Sequence, residues 1–231
     1  MPTINGPHLV SSPTLSPVEF EAALTSSTST QPETVDTFER VNTTTARAEN
    51  TGSGLSALQK HVMFFDRDGD GSIGVSETYA GLRALGFDAV RSGAFSLAIN
   101  AGLGAVTGAP WYAPLTVGVA NIAKAKHGSD TDIYDDNGEF NPAKFEQLFA
   151  TYDTNGDNAL SAEEFEVFYA RNREDSASSI ASTFEFGLLL EIAGEERFID
   201  GEFTNVVTRD TMARFYDGSL FFDIAGEPLP F

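Results

Sequence analysis

Apolar residues recur at helical spacing on both sides of two short acidic stretches, and this pattern predicts the main elements of the chain. The repeating apolar positions are Leu55, Leu58, Val62 and Phe65, then Tyr79, Leu82 and Leu85, then Phe145, Leu148, Phe149 and Tyr152, and finally Phe165, Phe168 and Tyr169. Each acidic stretch is therefore predicted to connect two helices. Gly86 is predicted to end the helix that follows the first stretch.

The first acidic stretch, residues 66–77, has the spacing of a calcium-binding loop. Oxygen donors stand at loop positions 1, 3, 5, 7 and 12, a set that suits the oxygen-rich coordination of calcium. The predicted ligands are Asp66, Asp68, Asp70, Ser72 through its backbone carbonyl, and Glu77. Gly71 at position 6 is predicted to form the sharp turn, because a residue without Cβ adopts positive φ freely. Residues 55–86 are therefore predicted to form an EF-hand, a helix–loop–helix calcium unit.

The second acidic stretch, residues 153–164, repeats this spacing within a predicted EF-hand-like unit over residues 141–172. Its predicted calcium ligands are Asp153, Asn155, Asp157, Ala159 through its carbonyl, Ser161 and Glu164. Asn158 replaces the glycine at position 6, which is tolerable because asparagine enters the left-handed region more readily than most residues. The alternative is a metal-free loop kept for packing. Ile73 and Leu160 share loop position 8, where we expect the two loops to exchange backbone hydrogen bonds.

Between the two loops, residues 92–123 contain no charged residue. A bilayer core of about 30 Å needs about 20 apolar helical residues, whereas residues 92–106 would form a helix only about 22 Å long. We expect the glycines of this segment to interrupt it and Pro110 and Pro114 to stop it. A single membrane-spanning helix is therefore not expected. Two alternatives stay open: a shallow helical hairpin in a membrane surface, or an apolar hairpin buried in a soluble core or closing over an apolar ligand.

The ends of the chain complete the predicted organisation. Residues 1–54 are rich in Ser, Thr and Pro, and we expect a largely disordered tail. Residues 180–226 are predicted to be helical, and they resemble a helix–loop–helix unit whose loop has lost its ligand pattern. The predicted fold is mainly α, with paired EF-hand units, an inserted apolar helical hairpin and a single domain over residues 55–231.

The composition of the chain excludes some classes of function. The formal net charge is −20, so no basic surface is available to bind nucleic acid. Nucleic acid is therefore not expected as a partner. The chain has no cysteine, which excludes disulfides and thiolate ligands to a metal. The first residues lack the basic and apolar regions of a secretory signal, so we expect a protein that is not secreted.

Four motifs, in this order, resemble one protein family. They are residues 58–65 leading into the first calcium loop, residues 77–87 after it, residues 124–130 after the apolar segment, and residues 216–221 near the end. Together they closely resemble the caleosins, which are calcium-dependent haem peroxygenases associated with lipid droplets in plants and fungi. The resemblance covers about residues 55–226. The chain departs from many plant members in its sparse prolines, since it keeps only Pro110 and Pro114 in the apolar segment.

The resemblance implies that His61 and His127 are the catalytic residues and the ligands of iron in haem b. From the residues alone, His61 could equally be a core or surface residue, and His127 a helix-end cation. The resemblance further implies transfer of oxygen from a lipid hydroperoxide to an unsaturated fatty acid, with calcium as a second cofactor. Asp130 and Asp132 are candidates for proton transfer, or simply acids on a solvated turn.

The resemblance also implies a location at the surface of lipid droplets or the endoplasmic reticulum, with a partly cytosolic form and a homo-oligomer both compatible with the sequence. Two non-enzymatic functions are alternatives. The chain could be an EF-hand protein that coats or tethers lipid surfaces. It could also be a soluble calcium sensor that exposes an apolar groove for a partner helix.

Overall fold

The computed structural model describes residues 54–126, 133–171, 176–199 and 201–231, so the predicted N-terminal tail lies outside the described residues except for Gly54. The described helices are α1 (Ala57–Met63), α2 (Val75–Ala84), α3 (Ala89–Val106), a 3₁₀ helix (Val119–Ala125), α4 (Pro142–Tyr152), α5 (Ala162–Arg171), α6 (Ser176–Ala193), α7 (Arg209–Asp217) and α8 (Leu220–Ala225). The described strands are β1 (Ser72–Ile73), β2 (Val117–Gly118), β3 (Ala159–Ser161), β4 (Glu195–Ile199) and β5 (Glu202–Thr208). The described part of the chain is mainly helical, as predicted.

Local sequence signals explain where the helices begin. Ser56 and Gln59 form a capping box at the start of α1, because each side chain accepts a hydrogen bond from the backbone N–H of the other. Asn141 caps α4, and Pro142 occupies its first turn, where the missing N–H costs nothing. Thr208 caps α7 through a bond from the backbone N–H of Thr211. These starts place both acidic stretches between helices.

The first half of the molecule, residues 54–126, is organised around the pairing of β1 with β2. The two strands are antiparallel, with Ser72 opposite Gly118 and Ile73 opposite Val117. Helix α2 packs against α3, and the 3₁₀ helix packs against α1. The apolar segment therefore supplies the strand partner of the first acidic loop.

The second half, residues 133–217, is organised around a three-stranded sheet of order β3-β5-β4. Strand β3 pairs with β5 through Ala159–Thr208, Leu160–Val207 and Ser161–Val206, and β4 forms a hairpin with β5. This hairpin lies between α6 and α7, where the sequence suggested a worn helix–loop–helix unit. It had not been predicted as a pair of strands.

The predicted hydrogen bonding between the two acidic loops is wrong. Position 8 of the first loop, Ile73, pairs with Val117, and position 8 of the second loop, Leu160, pairs with Val207. Each loop strand already has a strand partner within its own half. The apolar segment is therefore not an insert between two paired loops, but the partner of one of them.

The glycines of the apolar segment also behave differently from expectation. Helix α3 continues through Gly102 and Gly104 and ends only at Val106. A Cβ at Gly104 would lie 2.6 Å from the Pro114 carbonyl oxygen, so this glycine allows the returning chain to cross the helix closely. Helix α3 has 18 residues, and it is followed by a turn, by β2 and by the 3₁₀ helix. Within the described ranges, no helix is both long and apolar enough to cross a membrane.

A shared aromatic core joins the two halves. Phe64, which directly follows α1, belongs to the same buried cluster as Phe165 of α5, Phe186 of α6 and Phe215 of α7. A smaller cluster forms around the first loop strand and its partner, from Ile73, Val117, Val119 and Ile122. The position of α1 is thus determined by contacts with the elements of both halves.

Candidate functional site

The first acidic loop brings three carboxylates together. One oxygen from each of Asp66, Asp68 and Asp70 lies within 4.8 Å of the others, and Asp66 is buried while the other two are exposed. Glu77 lies in the first turn of α2, where the helix dipole favours a negative charge. Ser72, the predicted carbonyl ligand, begins β1. The arrangement is that of an oxygen-rich cation site.

The second loop has the same internal hydrogen-bond framework as the first. In both loops, the side chain at position 1 accepts hydrogen bonds from the backbone N–H groups of positions 5 and 6. The side chain at position 3 accepts one from position 5, and the side chain at position 5 accepts one from position 7. The side chain at position 12 accepts one each from positions 2 and 9. In the first loop these bonds span 2.7–3.1 Å. In the second they span 2.8–3.1 Å. The framework turns the carboxylates inward in the same way in both loops.

Position 6 shows how the second loop reproduces the turn without glycine. Gly71 has φ of 84°, and Asn158 has φ of 58°, the one non-glycine residue with positive φ among the described residues. The predicted left-handed conformation of Asn158 is therefore confirmed. Asparagine carries this conformation at lower cost than most residues.

Two carboxylates of the second loop could take part in holding a cation. Asp157 Oδ2 is buried and accepts no hydrogen bond, although Arg197 Nη1 lies 3.5 Å away. Burial raises the pKa of Glu164, but hydrogen bonds from Ser161 and Thr154 together outweigh it and lower that pKa, so the carboxylate is ionised. The hydroxyl of Ser161, another predicted ligand, donates a hydrogen bond of 3.1 Å to Glu164 Oε2.

His61 lies in the last turn of α1, five residues before the first ligand of the first loop. Its Nδ1 lies 2.7 Å from the backbone carbonyl oxygen of Phe215, and its ring contacts the rings of Phe215 and Phe221 at 4.6 and 5.0 Å between centroids. Burial lowers the pKa of His61 more than Glu185, the Phe215 carbonyl and Asp217 raise it. The imidazole is therefore neutral at pH 7.

The hydrogen bond of His61 determines its tautomer. A carbonyl oxygen can only accept a hydrogen bond. Nδ1 of His61 therefore carries the proton and donates the hydrogen bond to the Phe215 carbonyl. In a neutral imidazole the other nitrogen, Nε2, then keeps its lone pair. This state is the one in which a histidine ligates a metal through Nε2.

The other predicted histidine, His127, lies outside the described residues, as do Asp130 and Asp132. The residues that flank this stretch are described. Lys126 Nζ donates to the Tyr134 carbonyl at 2.7 Å, and the Tyr134 hydroxyl donates to the Tyr216 carbonyl at 2.8 Å. Tyr216 follows Phe215, whose carbonyl accepts the hydrogen bond from His61, so Tyr134 and His61 both bond to the C-terminal end of α7.

Sequence reasoning missed Asn100, which joins the apolar segment to the first loop. Asn100 is fully buried, and its side-chain amide donates to the carbonyls of Ile73 and Leu115 at 2.8 and 2.9 Å. Its Oδ1 accepts a bond from the Thr78 hydroxyl at 2.6 Å. The available signal was the amide side chain of Asn100 within a segment that has no charged residue, because a buried polar group must find hydrogen-bond partners.

Comparisons with known proteins identify relatives along most of this region. A family model described as caleosin related protein matches residues 53–225. A protein of Lilium longiflorum named peroxygenase is 37% identical over 171 residues, which cover 72% of this chain and 69% of the relative. A protein of Arabidopsis thaliana named probable peroxygenase 4 is 36% identical over 168 residues, which cover 71% of this chain and 83% of the relative. No solved structure matches the chain.

A shorter match shows that similarity alone does not imply activity. It is to a protein of Arabidopsis thaliana named probable inactive peroxygenase-like protein, which is 31% identical over 93 residues. The match covers 39% of this chain and 42% of the relative. The chemistry of this chain must therefore be argued from its own residues.

Proposed function

The chain belongs to the caleosin family, and from this premise we propose that it is a calcium- and haem-dependent peroxygenase acting on lipid hydroperoxides. Its class, an oxidoreductase of the peroxygenase type, is supported by the family and by the two relatives named peroxygenase. The finer proposal concerns the two cofactors and the substrates. The observation that carries it is the neutral His61, held five residues before an oxygen-rich cation loop.

The surroundings of His61 fit an axial ligand of haem. The Phe215 carbonyl keeps Nε2 unprotonated, and the rings of Phe215 and Phe221 give the imidazole an apolar environment. With no cysteine in the chain, histidine is the natural axial ligand. When bound, haem would supply the iron chemistry that moves one oxygen atom from a hydroperoxide to an acceptor.

His127 is the second candidate ligand in this proposal. Either one of the two histidines or both would hold the haem iron. The acceptor is proposed to be an unsaturated fatty acid, which would be epoxidised or hydroxylated. Asp130 and Asp132 are retained as candidates for assisting proton transfer to the peroxide.

Calcium is proposed at both loops, with a distinct role at the first. The backbone N–H of Asp66 donates to the Met63 carbonyl at 3.1 Å, so the first loop begins directly on the end of α1. A calcium ion bound by Asp66, Asp68, Asp70, Ser72 and Glu77 would fix the end of the helix that carries His61. This link is a physical reason for calcium-dependent activity.

A lipid surface is the proposed location of the substrate. Trp111 and Tyr112 are 90% and 74% exposed in the turn after Pro110. Tryptophan and tyrosine favour membrane–water interfaces. The net charge of −20 disfavours anionic membranes, so the proposed surface is a neutral-lipid droplet or the endoplasmic reticulum.

The test of haem ligation is the ultraviolet–visible spectrum after haem reconstitution. We expect a Soret band that shifts or disappears in His61→Ala, with His127→Ala as the second test variant. The matched control is His8→Ala, which alters the third histidine of the chain and should leave the band unchanged. Absence of a Soret band in the parent protein would eliminate the haem enzyme and favour a calcium-binding protein that coats lipid surfaces.

The calcium proposal is tested by chelation of the reconstituted protein. We expect removal of calcium to change the Soret band and lower the peroxygenase rate, and readdition to restore both. If chelation changes neither quantity, the proposed link between the first loop and His61 is wrong.

The lipid surface is tested by flotation with neutral-lipid emulsions. We expect the double variant Trp111→Ser/Tyr112→Ser to float less than the parent. The matched control is Phe198→Ser/Phe203→Ser, a second exposed aromatic pair that forms a cross-strand contact in the β4–β5 hairpin. Equal loss in both variants would indicate general stickiness rather than a surface at residues 111–112.

A further inference from the structure

The C-terminal end of α7 lies directly against α1, and this contact forms the hydrogen bond of His61. The last carbonyls of a helix lack partners within the helix and must be satisfied by other groups. In α7, the Phe215 carbonyl is satisfied by His61 Nδ1 and the neighbouring Tyr216 carbonyl by the Tyr134 hydroxyl. The backbone acceptor of His61 is therefore a helix-end carbonyl whose position depends on how closely α7 approaches α1.

Gly218 ends α7 in the left-handed conformation, with φ of 85°. A Cβ on this residue would lie 2.5 Å from the His61 backbone nitrogen, 2.5 Å from the Lys60 carbonyl carbon and 2.9 Å from Lys60 Cβ. Two of these atoms belong to the backbone of α1, so they could not move aside as a flexible side chain does. The approach of the two helices at this point thus requires a residue without a side chain.

We propose that Gly218 is a positioning residue for His61. By admitting the backbone of α1 against the end of α7, it brings the Phe215 carbonyl within 2.7 Å of Nδ1 and holds the tautomer in which Nε2 is unprotonated. This inference rests on the proposed function only in one respect, namely that Nε2 binds haem iron. The tautomer itself is a property of the protein without haem.

The chemical consequence concerns the second nitrogen of the ring. If α7 moved away, Nδ1 would lose its acceptor, and the proton could occupy Nε2 instead. Nε2 would then be a donor and would have no lone pair for a metal. Hydrogen bonds to the non-ligating nitrogen of a metal-bound histidine typically change metal affinity by about 10- to 100-fold. We expect a loss of this size in haem affinity when Gly218 gains a side chain.

The structure offers a matched control at Gly226. Gly226 ends α8 in the left-handed conformation with φ of 68°, so alanine there suffers the same kind of backbone strain. A Cβ at Gly226 would meet nothing within 4 Å. The pair Gly218→Ala and Gly226→Ala therefore separates backbone strain, which both share, from the collision with α1, which only Gly218→Ala creates.

The experiment is long-range ¹H–¹⁵N correlation spectroscopy of the full chain, labelled with ¹⁵N-histidine, free of haem and saturated with calcium. We expect the parent and Gly226→Ala to show His61 protonated on Nδ1, and Gly218→Ala to show protonation on Nε2 or a mixture. Retention of the Nδ1–H pattern in Gly218→Ala would overturn the proposal. So would a parent protein in which His61 is protonated on Nε2.

A second variant covers poor folding of Gly218→Ala. Asparagine tolerates the left-handed conformation better than alanine but keeps the Cβ, so Gly218→Asn retains the collision with less strain. We expect it to lose the Nδ1–H pattern while remaining folded by circular dichroism. If both Gly218 variants are unfolded while Gly226→Ala is folded, Gly218 serves the fold rather than the imidazole, and the positioning assignment is rejected.

The spectra separate this inference from the proposed function. A tautomer change in Gly218→Ala, with no haem bound to the parent, would support the positioning role and reject the haem enzyme. A Soret band that depends on His61, with an unchanged tautomer in Gly218→Ala, would support the haem enzyme and reject the positioning role.

Discussion

The two acidic loops share one internal framework but have different neighbours. The strand of the first loop pairs with β2, which belongs to the apolar segment, and Asn100 joins that segment to the loop. The strand of the second loop pairs with β5 of a hairpin, and Arg197 of β4 donates to the Asp157 carbonyl at 3.0 Å. A loop's sequence thus determines how it holds an ion, whereas its neighbours determine what the ion controls. In this molecule the first loop contacts the apolar segment and follows α1, whereas the second contacts a sheet, so the proposed ions would act on different elements.

The comparison is tested most strongly by removing the residue that closes each loop. Glu77→Gln and Glu164→Gln each replace a charged oxygen at position 12, and we expect each to weaken calcium binding at its own loop by roughly 100-fold, since outer-shell partners alone are worth about 10- to 100-fold. Calorimetric titration measures the sites. Only Glu77→Gln should also alter the Soret band of reconstituted protein, and an equal change in Glu164→Gln would contradict the division of roles.

The link between the first loop and the apolar segment is tested by Asn100→Ala. The substitution leaves the carbonyls of Ile73 and Leu115 and the Thr78 hydroxyl without their partner, and we expect a loss of about 2–4 kcal/mol in the free energy of unfolding. Denaturant unfolding measures this loss. The control is Asn121→Ala, which removes one partly buried bond to the Thr107 carbonyl and should cost about 1 kcal/mol. Equal losses would show that Asn100 has no special role.

The turn at position 6 offers a smaller difference between the loops. Gly71→Ala places a Cβ on a backbone with φ of 84°, and we expect a cost of about 1–2 kcal/mol. Asn158→Ala changes a position that already carries a Cβ, so its cost should stay below about 1 kcal/mol. Unfolding free energies at saturating calcium measure both. A larger cost for Asn158→Ala would mean that its side chain has a role beyond the turn.

The contact between the two halves at Arg91 should have the smallest effect. Arg91 of α3 forms two hydrogen bonds of 2.6 Å with Glu191 of α6, and both side chains are partly exposed. A double-mutant cycle with Arg91→Ala and Glu191→Ala should give a coupling of about 0.5 kcal/mol that decreases with added salt. A coupling above about 2 kcal/mol would show that this pair is a principal connection between the halves.

Local features of the fold were predictable because their signals lie within a few residues. The positive φ of Asn158, the start of α4 at Asn141 and the end of α2 near Gly86 follow from the conformational preferences of single residues. The β4–β5 hairpin was also within reach. Asp200-Gly201 is a two-residue turn signal between strands, although it was not recognised.

Non-local pairings were not predictable in the same way. Nothing in residues 117–118 marks them as partners of residues 72–73. Ile73 and Leu160 both occupy loop position 8, and this shared position suggested that the two loops pair with each other, which they do not. Gly104 lies within α3 where the Pro114 carbonyl approaches so closely that a Cβ would collide with it. Such contacts depend on tertiary packing, which overrides the weak local preference against glycine in a helix.

The candidate site shows the same division. The carboxylates of the loops could be read directly from their spacing, and His61 was nominated by the resemblance to a family. The acceptor of His61 could not be read, because a backbone carbonyl 154 residues away leaves no signature in the side-chain pattern. The role of Gly218 likewise could not be predicted, because it depends on the close contact with α1.

The separate strand partners of the two loops have a consequence for how the protein responds to calcium. When two loops share one small sheet, an ion bound at one loop helps to order the other, and binding becomes cooperative. Here β1 and β3 belong to different sheets, so this route of communication is absent among the described residues. We therefore expect two independent binding steps with a Hill coefficient near one. The calcium response of this chain should be graded with concentration rather than switch-like.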